Sequence, residues 1–186
     1  MRIAPPTKAG RYGTELDSAM HDFERSVVRI QGVDPVTTEL VRLRCARIHD
    51  CRRCRSVRDD AALEAGFDEA LGAKIDDYEH SDLSPRHKAA LRLADAMILG
   101  APIDRADVHA HFTESEIAEL LLDVVKWSVQ KALVALRIEP APDDDHLIRM
   151  AADDGGTYRF GPALTPSEAK SMSLDSMIPA VRPGAA

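Results

Sequence analysis

The chain has 186 residues, 45% of them hydrophobic and only 4% aromatic, with a formal net charge of −7, so it fits one domain with a core of its own. The acidic balance argues against a nucleic-acid partner, whose footprint would be basic, and no run approaches the roughly 18 apolar residues that a membrane span needs. Three cysteines and an N-terminus without the apolar core of a signal peptide predict a cytoplasmic location, where closely spaced cysteines are catalytic or metal-binding sooner than structural.

Residues 1–13 carry two prolines and two glycines and read as an N-terminal arm. From Thr14 the pattern turns helical, with Leu16, Met20, Phe23, Val27 and Ile30 recurring at three- and four-residue steps. Gly32 and Pro35 punctuate. A second helix is predicted over 36–49, with Leu40, Leu43 and Ile48 apolar and Arg42, Arg44 and Arg47 solvated. Asp50 is the expected N-cap of a third helix over 51–65, which Gly66 ends as a C′ glycine. A short helix follows over 69–77. Ser84-Pro85 opens the next, over 85–99, with proline at N1 and Leu91, Ala94 and Ile98 on one face. His80 and His87 read as surface residues, and His109 and His111 as part of the loop before Thr113.

Thr113 and Glu116 form a capping box, stapled by Phe112 and Ile117, at the start of the longest predicted helix. Its apolar residues run to Pro140, nearly 40 Å at about 1.5 Å per residue, which predicts a central buried helix or an oligomer core that includes Trp127. Beyond Pro140 the composition shifts to Asp, Gly, Pro and Ser. Residues 141–186 read as an extension with a solvated acidic run at 143–145, a short helix over 146–151 and a tail. With no period-two strand pattern, the predicted class is all-α: an arm (1–13), a helical domain (14–140) and a C-terminal extension (141–186).

Cys51-Arg52-Arg53-Cys54 carries the chemistry. A helix capped by Asp50 puts Cys51 at its first position and Cys54 one turn in, where the helix dipole and Arg52, Arg53, Arg55 and Arg58 favour a thiolate. Arg58 lies one further turn on, on the face of Cys54. A sharp reversal at His49-Asp50 would bring Glu39 opposite Arg58 and close to Cys54, as a carboxylate able to move protons. This pattern predicts a reversible disulfide. Cys45, His49, Cys51 and Cys54 also make a conceivable zinc set, which the four arginines oppose. Haem attachment is excluded because Arg55, not histidine, follows Cys54. Cys45 alone reads as a small core residue. His49 adjoins the motif and could relay protons, although a helix-terminal histidine near the C-terminal dipole is the simpler reading.

Glu39-Leu-Val-Arg-Leu-Arg, the twelve-residue step to Cys51-x-x-Cys54, and Ala62-Leu-Glu-Ala-Gly66 together resemble the alkyl hydroperoxide reductase D and carboxymuconolactone decarboxylase superfamily. The similarity extends through residues 86–96 to Ile138-Glu139-Pro140, covering 14–140. It implies an all-helical fold that forms homo-oligomers, commonly trimers or hexamers, and in the cysteine-bearing branch a peroxidase cycle without cofactor or metal. Carried over by position, Cys54 matches the peroxide-attacking cysteine, Cys51 the resolving cysteine and Glu39 the proton-relay glutamate. Thioredoxin analogy instead makes Cys51 the nucleophile.

The family's motif places a histidine where this chain has Arg58. Arginine keeps its proton and cannot shuttle it, so the resemblance implies weaker turnover than the full motif would give. The implied partners are a small hydroperoxide and a dithiol or thioredoxin-like reductant, with no nucleic acid and no membrane. Two other readings stand beside it. One is the superfamily's cofactor-free decarboxylation of a lactone acid, its carboxylate bound by Arg52, Arg53 and Arg58. The other is a non-enzymatic redox sensor or interaction protein.

Overall fold

Helix α2 (Pro35–Ile48) is the pillar on which the rest is built. Asp34 caps it, accepting from the Thr37 N–H at 2.9 Å and the Thr37 hydroxyl at 2.7 Å, and Pro35 supplies the pre-set φ of the first turn. Leu40, Val41, Leu43 and Cys45 are all buried, so the helix is covered on more than one side. Val41 and Cys45 face one apolar cluster with Ala90, Ala94, Leu120 and Val124. Leu40 and Leu43 face another with Ala62, Ile75, Leu83 and Leu91. The structure is a computed structural model, and it describes residues 14–129, 134–137, 146–165 and 167–168. The N-terminal arm, the acidic run at 143–145 and the far tail lie outside the described residues.

The partners of α2 are α6 (Pro85–Leu99) and α8 (Glu114–Ser128), and α1 (Thr14–Val27) packs on α8. Their ends are set locally. The Ser84 hydroxyl accepts from the His87 N–H at the start of α6, and Gly100 ends it at φ 68°. Thr113 and Glu116 form the expected capping box. Between α6 and α8, α7 (Arg105–His111) takes up His109 and His111, which therefore stand on a helix and not in a loop. Helix α8 stops at Ser128, well short of Pro140; Val134 is buried again, and Arg137 adopts φ 55°. Among the described residues no helix is long and apolar enough to cross a membrane.

The protein is mostly helical, but not all-α. The expected helix over 51–65 is divided into α3 (Arg52–Ser56), β1 (Val57–Asp59) and α4 (Asp60–Glu64). The expected helix over 146–151 is instead β2 (Leu147–Ala152), and β3 (Tyr158–Leu164) follows it. The sheet order is β1-β2-β3, with β1 parallel to β2 in the register Val57↔Ile148 and Asp59↔Met150, and β2 antiparallel to β3. The cause is tertiary. A three-residue strand has no stability of its own, and this one exists because the distant C-terminal extension supplies its ladder partners. Arg149 of β2 also forms a buried ion pair with Asp60 at the head of α4. The remaining helical turns, α5 (Glu69–Ala73) and a 3-10 stretch over Lys74–His80, cover the second cluster.

Candidate functional site

The turn between α2 and α3 begins with Asp50, a non-glycine residue at φ 55°. In that left-handed conformation it cannot be the N-cap the sequence suggests. Its exposed carboxylate pairs with Arg137 and, at 2.9 Å, with Arg55; the Arg137 hydrogen bond is the main cause holding its pKa below the usual carboxylate value. The cap is Cys51, whose Sγ accepts from the Cys54 N–H at 3.2 Å. Cys51 and Cys54 form a disulfide across a Cα–Cα distance of 5.2 Å. Cys51 is only 3% exposed and Cys54 is half-buried. Cys45 stays a free, buried thiol, its pKa pushed up to about 12, chiefly by burial.

Arg42 holds this turn in place. Instead of being solvated, it is buried, with its guanidinium forked onto Glu39 at 2.6 and 2.7 Å. The same guanidinium donates to the carbonyl of Cys54 at 2.7 Å and to that of Val57. All three nitrogens of its planar fork donate, tying the cysteine turn to α2. Arg44 and Arg47 are likewise drawn in, onto Asp95 at 2.6 Å and Asp76 at 2.7 Å.

Arg58 does not face Glu39. It binds Glu69 through two hydrogen bonds of 2.7 and 2.8 Å, and the carbonyls of Arg55 and Val57. The reason is β1: alternation along a strand turns Arg58 away from the side taken by Val57 and Asp59. The Asp59 N–H reaches Glu39 instead, at 3.4 Å. Of the five sequence-predicted site residues, the structure thus gathers Cys51, Cys54 and His49. Glu39 stands behind Arg42, and Arg58 is a brace between β1 and α5.

Two hollows meet at this point. The first, about 260 Å³, has Cys51, Cys54, His49 and Arg53 on one side, with Val57, Met150, Tyr158 and Phe160 of the sheet and Trp127 of α8 around it. The second, about 630 Å³, is lined by Glu39, Asp59, Glu119 and Asp123 among others. Arg42, Lys126, Trp127 and Tyr158 border both. The buried carboxylates of the second hollow are engaged. Asp123 accepts from Lys126 at 2.6 Å, and Glu119 accepts from the N–H groups of Gly32 and Val33 at 2.8 and 3.1 Å. Asp59 is pushed up to about 6, first by burial and then by the charge of Glu39. Burial likewise raises Glu119 and Asp123.

Sequence reasoning missed Arg42, Lys126, Met150, Tyr158 and Phe160 as site residues. The Glu39–Arg42 spacing of three, which pairs side chains on one helix, was the available signal for the first. The residues of β2 and β3 had none, because they come from a segment read as extension and tail.

No family model matches the chain. Two uncharacterized proteins from two strains of Mycobacterium tuberculosis are each 40% identical to it over 131 residues, which is 67% of this chain and 46% of theirs. The chain therefore spans about half the length of the curated relatives it matches.

Proposed function

We propose that the protein is a thiol-dependent hydroperoxide reductase of the alkylhydroperoxidase D-like kind, cycling Cys51 and Cys54 between dithiol and disulfide. The observation that carries this reading is the disulfide itself, placed in the wall of a hollow large enough to admit a small organic molecule. Cys54, the more exposed of the two residues, attacks the terminal oxygen of the hydroperoxide; the O–O bond breaks, the alcohol leaves with a proton, and Cys54 becomes a sulfenic acid. Cys51 then attacks that sulfur and water departs, leaving the disulfide. A dithiol or thioredoxin-like partner, oxidised in turn, restores both thiols. The Cys54 N–H that reaches the Cys51 sulfur helps keep Cys51 nucleophilic for the second step.

The proton relay differs from the one the resemblance implies. Arg58 is committed to Glu69, and Glu39 to Arg42, so neither is placed to take the thiol proton. His49 shares the hollow with both cysteines and is the group assigned that task. Glu39 is a positioning residue acting through Arg42. Homo-oligomer formation, the superfamily fold and a cytoplasmic setting belong to the same proposal.

Stopped-flow oxidation of the reduced protein by hydrogen peroxide and cumene hydroperoxide, with thiols counted by mass spectrometry, tests it. Rapid Cys51–Cys54 disulfide formation is expected, lost in Cys54→Ser, unchanged in Arg58→His, and slowed by roughly a hundredfold in His49→Asn. A wild type no faster than a free thiol would overturn the reading.

A further inference from the structure

The hollow beside the disulfide has a composition of its own. Its apolar surface comes from Val57, Val134 and Met150 and from the rings of Trp127, Tyr158 and Phe160. These rings form a ladder, with centroids 6.1 Å apart for Trp127–Tyr158 and 6.5 Å for Tyr158–Phe160. Three cations border the same space. Arg42 is committed to Glu39 and Lys126 to Asp123, each at 2.6 Å. Arg53 pairs with no carboxylate among the described residues; its guanidinium lies over the Phe160 ring, 5.0 Å from the centroid. A guanidinium on an aromatic face keeps its in-plane N–H fork for a planar anion. The one carboxylate in the lining, Glu24 on α1, lies 3.7 Å from the His21 imidazole, and burial raises its pKa.

From this arrangement we propose that the hollow binds an apolar monocarboxylate, its carboxylate forked by Arg53 and its hydrocarbon part lying along Trp127, Tyr158 and Phe160. At about 260 Å³, and roughly 30 Å³ per water-sized group, there is room for on the order of ten non-hydrogen atoms. For substrate class this inference rests on the peroxidase reading: the preferred oxidant is an organic hydroperoxide bearing a carboxylate, reduced to the corresponding hydroxy acid. The binding itself does not depend on turnover.

Trp127 is the sole tryptophan of the chain and borders the hollow, so its fluorescence reports occupancy. The disulfide form is titrated with octanoate and, separately, with 1-octanol, in wild type, Arg53→Gln and the neighbouring control Arg52→Gln. A saturable change with octanoate is expected, about tenfold weaker for 1-octanol, about tenfold weaker for octanoate in Arg53→Gln and unaltered in Arg52→Gln, as befits one charge-assisted bidentate contact. Circular dichroism confirms that each variant is folded. No saturation, equal affinity for acid and alcohol, or an equal loss in both arginine variants would overturn the proposal. Octanoate binding by a protein inert to hydroperoxides would remove the peroxidase reading and keep this site; hydroperoxide turnover without octanoate binding would do the reverse.

Discussion

Two hollows share a wall in this protein, and the same four side chains give them opposite characters. On the cysteine side, Arg42, Lys126, Trp127 and Tyr158 border apolar residues and a disulfide. On the other they border Glu39, Asp59, Glu119 and Asp123, and there the positive ends of Arg42 and Lys126 find their partners. The larger hollow is therefore part of the frame: Arg42, Lys126, Glu39, Glu119 and Asp123 are spent on one another and on backbone groups, and removing one strands the next. The smaller hollow keeps a disulfide, an imidazole and one cation with no carboxylate partner among the described residues. Size does not distinguish the two hollows; the disulfide and Arg53 do.

The comparison can be broken most severely at Glu39. Glu39→Gln leaves the buried Arg42 guanidinium without its counter-charge, and should cost about 3–5 kcal/mol of stability in urea unfolding. Because Arg42 also holds the Cys54 carbonyl, the same variant should loosen the cysteine turn, seen as faster amide exchange over 51–57.

Asp59→Asn should act in the opposite direction and show a pH signature. Asp59 titrates near 6 in the folded protein, against about 3.9 in an unfolded chain, so the fold favours its protonated form. That stability is fully present below pH 4 and lost as the pH rises through 6. An asparagine, which can still accept from the Ala62 N–H, should raise stability by on the order of 2 kcal/mol at pH 7.5 and change little at pH 4. A gain equal at both pH values would show that Asp59 is not held against its charge.

Smaller effects sharpen the division. Glu69→Gln removes the half-exposed partner of Arg58 and should cost about 1 kcal/mol, with peroxide oxidation of the thiols unchanged within twofold. A collapse of thiol reactivity there would return Arg58 to the site. Arg53→Gln, on the cysteine side, should alter stability by less than about 0.5 kcal/mol, since no ion pair or hydrogen bond among the described residues depends on it.

What the sequence made legible was local. The Ser84 and Thr113–Glu116 caps, Gly66 and the apolar steps of α1, α2 and α6 all act within one or two turns, so neighbouring residues suffice to read them. The break after Ser56 was hidden because β1 is made by its pairing with Ile148–Met150, which no window around Val57 contains. Arginine is seldom buried, so the sequence alone places Arg42 in solvent; its burial depends on Glu39 together with two carbonyls from the far side of the turn. The cysteine pair and His49 could be placed at one corner from their adjacency. Tyr158 and Phe160 reach that corner only through the sheet.

The most direct test is to trap the sulfenic acid. With dimedone present during hydrogen peroxide treatment of reduced protein, Cys51→Ser should carry the adduct on Cys54, and Cys54→Ser should carry none on Cys51. An adduct on Cys51 in Cys54→Ser, with none on Cys54 in Cys51→Ser, would contradict the assignment of Cys54 as the attacking sulfur and the cycle built on it.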